Sequence, residues 1–495
     1  MQKRSQPLYS RLLSGKRRRK TMVGGRTLEE ETESDRGRIL FSAPWRRLQN
    51  KAQVFSLESN AAVRTRLTHS LEVATVGRQL AQAAIIAIRQ KDRGDTYGLA
   101  GQERAFINFV ENACLIHDLG NPPFGHFGED AISEWFQNNK TELRVSGIGG
   151  RIEQLWETHW SDLINFDGNP QGFRIVTRLQ ASETDDLHGL NLTATTLAAT
   201  LKYPASEAAP NKKYKRSHFH TEDDVVKWVH DTLGMVPSAR HPLVTLMEAA
   251  DDIAYCMSDI EDSIEKGIIT ERDFIEYISA SLKQFKKGSV FSPMIPELKL
   301  ILARFKSRAL PKRIAPLMDL RSFVARILSK YVGDKFAQKH DEIVGGSLQP
   351  LLDEDGPDAL LGIFKAFARS HIYKSKVVLQ REISAHSILS GLLNAYKHAM
   401  VCDYDRFLAA LNGCSTDEND KRVTVERSLL SRLPKKHIET YMAFVNKAYN
   451  KYGGDEGSFK VIERIYRMRL ILDCLTGMTD SYALHSFHLV SGAEI

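Results

Sequence analysis

Cysteine is scarce and scattered. Cys114, Cys256, Cys402, Cys414 and Cys474 are odd in number and form no CxxC pair. This excludes a disulfide framework and a thiolate-type structural zinc site, and leaves the cysteines as reduced core residues. Runs of about 18 apolar residues are missing too. The N-terminus, MQKRSQPLYSRLLSGKRRRK, lacks the apolar stretch of a secretion signal. A cytoplasmic protein without a membrane partner is therefore expected. Internal repeats, low-complexity tracts and long polar linkers are likewise lacking, so a repeat array is excluded and no linker forces a domain cut.

What is present is ordinary for a globular chain: 495 residues, 42% hydrophobic and 26% charged. The net charge of +7 is concentrated, with six Lys or Arg among residues 11–20 and a second cluster, NKKYKR, at 211–216. Such clusters are either solvated tails or contacts for a phosphate-rich partner. Helical periodicity recurs and strand-like alternation hardly occurs. Phe106, Val110, Ala113 and His117 share one helix face, as do Leu243, Met247, Ala250, Ala254, Met257 and Ile264. Helices are also expected over 69–90, 271–284, 318–331, 358–372, 383–398 and 459–477. The pattern predicts an all-α protein with a basic N-terminal segment (1–30), a helical catalytic core (31–290) and a closely packed helical remainder (291–495).

The apolar stripe of the 105–117 helix runs into His117, which turns its imidazole toward the core, while Asp118 lies about 100° round the axis. His69 sits early in another apolar helix. Asp251 lies among Met247, Ala250 and Ala254, with Tyr255 and Asp259 following on the same strip at i+4 and i+8. A buried carboxylate needs a cation or strong donors. Two imidazoles and two carboxylates, His69, His117, Asp118 and Asp251, make a mixed N/O set suited to a divalent transition metal with open positions. Beyond the helix-breaking NPPFG stretch stands a further polar pair, His126 and Glu129.

These residues sit in longer motifs: THS (68–70), IHDLGNPPFGH (116–126) and EAADDIAY (248–255) resemble the HD-domain phosphohydrolases. ESDRGRILFSAPWRRLQNKAQVF (33–55), NAAVRTRLTHSLEV (60–73), FDGNPQGFR (166–174) and GMTDSYA (477–483) narrow the resemblance to the bacterial dGTPase family, from about residue 30 to 485. That resemblance implies an all-α hydrolase cleaving dGTP to deoxyguanosine and triphosphate at the α-phosphorus. It implies His69, His117, Asp118 and Asp251 as ligands of Mg, Mn or a similar ion, and His126 with Glu129 as the catalytic pair. Arg66 and the Lys202–Tyr203 pair match phosphate or sugar contacts; Gln53, Val54, Tyr255 and Asp259 match the deoxyribose pocket. Glu382 and Arg422 are weaker nominations for guanine recognition. Stimulation by single-stranded DNA and a homohexamer also belong to what the resemblance implies, with oligomer contacts in the C-terminal region. Asp167 and Pro170 depart from the expected Glu and Ala, and Asn121 stands where animal relatives carry another histidine. The rival readings are a broad dNTP triphosphohydrolase, another HD-type nucleotide phosphohydrolase, and a DNA-binding regulator without turnover.

Overall fold

The computed structural model describes residues 6–58, 60–180, 187–203, 216–237, 239–282, 294–306, 316–346, 350–352 and 359–493. Among these residues the protein is all-α, as its periodicity predicts, with no strand and only two isolated bridges, Ala52 with Thr65 and Thr416 with Arg422. The helices that build and flank the site are α1 (Leu28–Leu40), α2 (Arg66–Lys91), α3 (Glu103–Ile116), α4 (His126–Asn138), α5 (Gly150–Ile164), α6 (Pro242–Glu265), α7 (Pro316–Gln338), α8 (Ala359–His371), α9 (Lys376–Val401), α10 (Lys435–Tyr452), α11 (Glu456–Thr476) and α12 (Asp480–Ser491). Their starts are chemically marked. Thr65 caps α2 by accepting from Thr68 N, and Pro242 occupies the first turn of α6, where its missing N–H costs nothing.

Two hydrophobic cores organise the chain. The first joins α1, α2, α3, α6, α7 and α8; the second joins α4, α5, α9, α10, α11 and α12. The division does not fall at residue 290. Helices α4 and α5 pack with the C-terminal helices, whereas α7 packs with the His69 helix and α8 with the Asp251 helix. Periodicity shows that a helix has an apolar face but not which face meets it. The His117–His126 turn therefore crosses from one core to the other, and Phe127 packs against both.

The N-terminal stretch is not a solvated tail. Tyr9, Leu12 and Leu13 are buried in the first core, and Tyr9 Oη lies 2.9 Å from His340 Nε2. Arg17 bonds Glu31 Oε2 at 2.6 Å, the Asn191 carbonyl at 2.6 Å and the buried Asp35. A carboxylate pair within reach outcompetes hydration of that arginine, while Lys16, Arg19 and Lys20 stay exposed. Of the second basic cluster, residues 211–215 lie outside the described residues. By length and mean hydropathy α2 could cross a membrane, although it holds no unbroken apolar run of spanning length. Its Val73, Leu80, Ala81 and Ala84 are instead buried in the first core.

Candidate active site

Helices α2, α3 and α6 meet where side chains are smallest. A Cβ on Gly77 would lie 2.6 Å from Cys114 Sγ and 3.7 Å from Ala250 Cβ. That close approach brings the His69 and His117 rings to 5.5 Å between centroids. Asp251 Oδ1 lies 3.2 Å from His69 Nε2 and 3.4 Å from His117 Nε2. Ligand-capable atoms of these three residues all fall within 4.8 Å of one another. His117 Nδ1 donates to the Cys114 carbonyl at 2.6 Å, which fixes the tautomer and leaves a lone pair on Nε2, a buried atom with no hydrogen-bond partner. An orphaned imidazole nitrogen beside a carboxylate is what a divalent-ion site requires, so the donor set fits a metal. Burial opposes the charges, yet Asp118 and Asp251 push the His117 pKa up, and His117, His69 and Lys202 pull Asp251 well below the carboxylate range. Lys202 Nζ lies 3.8 Å from Asp251 Oδ2.

Asp118 stands beside this cluster, its Oδ1 3.7 Å from His117 Nε2. Arg66 Nη1 donates to its Oδ2 at 2.8 Å and Asn121 Nδ2 to its Oδ1. Burial raises the Asp118 pKa, but Arg66 and the two imidazoles outweigh it and hold the group at about 2. Asn121 thus fixes that carboxylate through the oxygen opposite the one Arg66 holds. The chain then turns sharply: Phe124 and Gly125 have φ of 65° and 60°, and α4 begins at His126. His126 Nδ1 bonds Glu129 Oε2 at 2.8 Å, and Glu129 Oε1 accepts from Gly168 N at 2.8 Å. The Glu129 bond raises the His126 pKa, although the imidazole is 84% exposed and the effect is screened by water. The FDGNPQGFR segment is the buttress of this turn. A Cβ on Gly120 would lie 2.0 Å from both Gly168 O and Gly172 N, and Asp167 caps the short helix by accepting from Asn169 N at 2.7 Å. Asp167 serves that role as a longer Glu would not, which makes the departure mild.

Along α6 the strip continues with Tyr255 and the buried Asp259, joined by a residue the sequence reading missed, Tyr373. Its Oη lies 2.7 Å from Tyr255 Oη and bonds Asp259 Oδ2. A hydroxyl has one proton, so Tyr373 donates to the carboxylate and accepts from Tyr255. Burial pushes the Asp259 carboxyl up to about 7 against these hydroxyls, and its Oδ1 has no partner. A cavity of about 370 Å³ opens there, lined by Tyr255, Asp259, Lys365, Arg369 and Tyr373. Lys365 lies on α8 and Tyr373 in the turn just past its end, and no sequence signal tied them to α6, about 110 residues earlier. A larger cavity of about 710 Å³ lies on the other flanks of α2 and α6, among Val76, Ile253, Met257 and Val324, and contains none of the metal-site donors. Gln53 Oε1 is buried without a partner beside Val54, and Tyr203 N donates to Ser217 Oγ at 2.7 Å. Glu382 and Arg422 are exposed, and no described hydrogen bond or ion pair joins either side chain to the cluster.

The HD domain family model matches residues 66–153, the span from Arg66 through the turn to α5. The deoxyguanosinetriphosphate triphosphohydrolase of Salmonella enteritidis PT4 is 33% identical, with 93% of this chain and 94% of the relative covered. The protein of the same name from Enterobacter sp. strain 638 is also 33% identical, over 93% and 94% of the two chains.

Proposed function

The chain belongs to the deoxyguanosinetriphosphate triphosphohydrolase family, and from that premise we propose that it hydrolyses dGTP to deoxyguanosine and inorganic triphosphate by water attack at the α-phosphorus. The observation that carries the reading is the convergence of His69, His117 and Asp251 from three separate helices, with ligand atoms within 4.8 Å. Together with Asp118 they would hold Mg, Mn or a similar divalent ion, which supplies a water of lowered pKa and neutralises a phosphoryl oxygen. Arg66 and Lys202 add fixed positive charge for the triphosphate. Glu129 keeps the proton of His126 on Nδ1, so Nε2 faces outward as the atom that exchanges a proton. When the α-phosphorus–O5′ bond breaks, the electron pair stays on O5′, and that oxygen takes up a proton to become the hydroxyl of deoxyguanosine. Gln53, Val54, Tyr203, Tyr255 and Asp259 are assigned to the sugar, the unpartnered Oδ1 of Asp259 supplying an acceptor for a hydroxyl. Single-stranded DNA as a stimulator and a homohexamer are part of the same reading and rest on the resemblance.

A product assay on the four dNTPs and GTP with added Mn tests the assignment. Triphosphate released from dGTP alone is the expected result; equal turnover of all dNTPs, or pyrophosphate as product, would replace it with a broader or different hydrolase. Asp251→Ala should abolish turnover with helical content kept, and retained activity would reject the site.

A further inference from the structure

The GMTDSYA stretch forms the corner between α11 and α12, remote in sequence from every residue assigned a role in the reaction. Its two helix ends carry opposite polarity. The Thr476 carbonyl at the last turn of α11 is an acceptor without an intrahelical partner, and Asp480 opens α12. Both are buried, and both are answered by residues 51 and 52. Lys51 Nζ donates to Thr476 O at 2.7 Å and to Asn121 O at 2.6 Å. Asp480 Oδ2 accepts from Ala52 N at 3.1 Å, and its Oδ1 accepts from Phe124 N at 3.0 Å. Lys51 O accepts in turn from Arg66 N at 2.9 Å, at the start of α2. Lys51 is 3% exposed and Asp480 2%.

The groups seized by this knot are those the turn cannot satisfy itself. Pro122 and Pro123 have no N–H to give, and Phe124 is a bulky residue at positive φ, a conformation that persists only where surrounding structure imposes it. The clamped atoms, Asn121 O and Phe124 N, bracket that segment. On one side Asn121 donates its side chain to Asp118; on the other, two residues past Phe124, stands His126. Resting on the assignment of Asp118 and His126 above, we infer that Lys51 and Asp480 are positioning residues for the reaction: the α11–α12 corner of the second core fixes the turn that holds Asp118 and His126 in register with Arg66. The GMTDSYA motif is then a distant part of the active-site frame, although it touches neither metal donors nor substrate.

The test uses full-length protein. Lys51→Met keeps the length of the side chain and removes the ammonium; Asp480→Asn keeps an acceptor for only one of the two N–H groups and carries the test if Lys51→Met does not fold. Glu463→Gln, which breaks a buried cluster with Arg467 and Tyr441 in the second core, controls for general destabilisation. Either clamp variant is expected to lower kcat roughly ten- to a hundredfold with little change in KM for dGTP. It should also weaken Mn binding to metal-stripped protein, read by electron paramagnetic resonance of free Mn without substrate. The Glu463 control should keep kcat and Mn affinity per folded molecule. Wild-type kcat and Mn binding in the clamp variants, or losses matched by the control, would overturn the positioning role. Persisting activity in Asp251→Ala would instead overturn the site reading itself, so the two failures are distinguishable.

Discussion

Glu129 is the side chain on which the local chemistry turns. One of its oxygens is committed to Gly168 N and the other to His126, so the carboxylate is fixed from the protein side before any substrate arrives. The raised His126 pKa comes first from that hydrogen bond, which favours the imidazolium. Replacing the acid by Glu129→Gln removes the negative charge and keeps the shape. The His126 pKa then falls, and the limb of the kcat–pH profile that it governs moves to lower pH. That direction holds whether His126 gives or takes the proton. A profile measured with Mn in which both limbs stay in place would remove Glu129 from the catalytic pair. Tyr373 carries no such local signal, since a tyrosine in the short turn between α8 and α9 has no recognisable role until its partner Asp259 is seen.

At the level of elements the site is a matter of close backbone approach. Four glycines do what no side chain could: Gly77 lets α2 reach α3, and Gly120 meets Gly168 and Gly172. A methyl at Gly120 would strike two backbone atoms at 2.0 Å, and backbone cannot move aside as a side-chain tip can. Gly120→Ala should therefore cost about 3 kcal/mol or more in urea unfolding. Gly149→Ala, with nothing within 4 Å of the new methyl, should stay within about 0.5 kcal/mol of wild type. Equal stability of the two variants would contradict the described contact between the turn and the 168–174 helix.

At the level of the molecule the two cores share their boundary with the chemistry. Metal-site donors come from the first core, His126 and Glu129 from the start of a helix in the second, and the 117–126 turn joins them. The N-terminal segment belongs to the first core: besides the burial of Tyr9, Leu12 and Leu13, Thr195 Oγ1 donates to Leu12 O at 2.7 Å and Ala194 N to Lys16 O at 2.8 Å. Deleting residues 1–20 should lower stability by roughly 5 kcal/mol, from about 1.5–3 kcal/mol for each large buried side chain. A thermal melt unchanged by the deletion would restore the view of this segment as a tail.

The sequence by itself determined the all-α class, the helices bearing His69, His117 and Asp251, and the chemical type of the site. These depend on period, burial cost and ligand preference, which are properties of short stretches. It also located the turn, because two prolines and a glycine cannot continue a helix. Tertiary structure alone decided that α4 leaves the core of its predecessor, that Arg17 is paired with Glu31 and Asp35, and that Tyr373 completes the α6 strip. It also decided that Lys51 and Asp480, more than 400 residues apart, clamp the same turn. Such contacts join groups of unremarkable type across distant segments. Their pairing follows from which faces bury together, and a periodic pattern is silent about its partner.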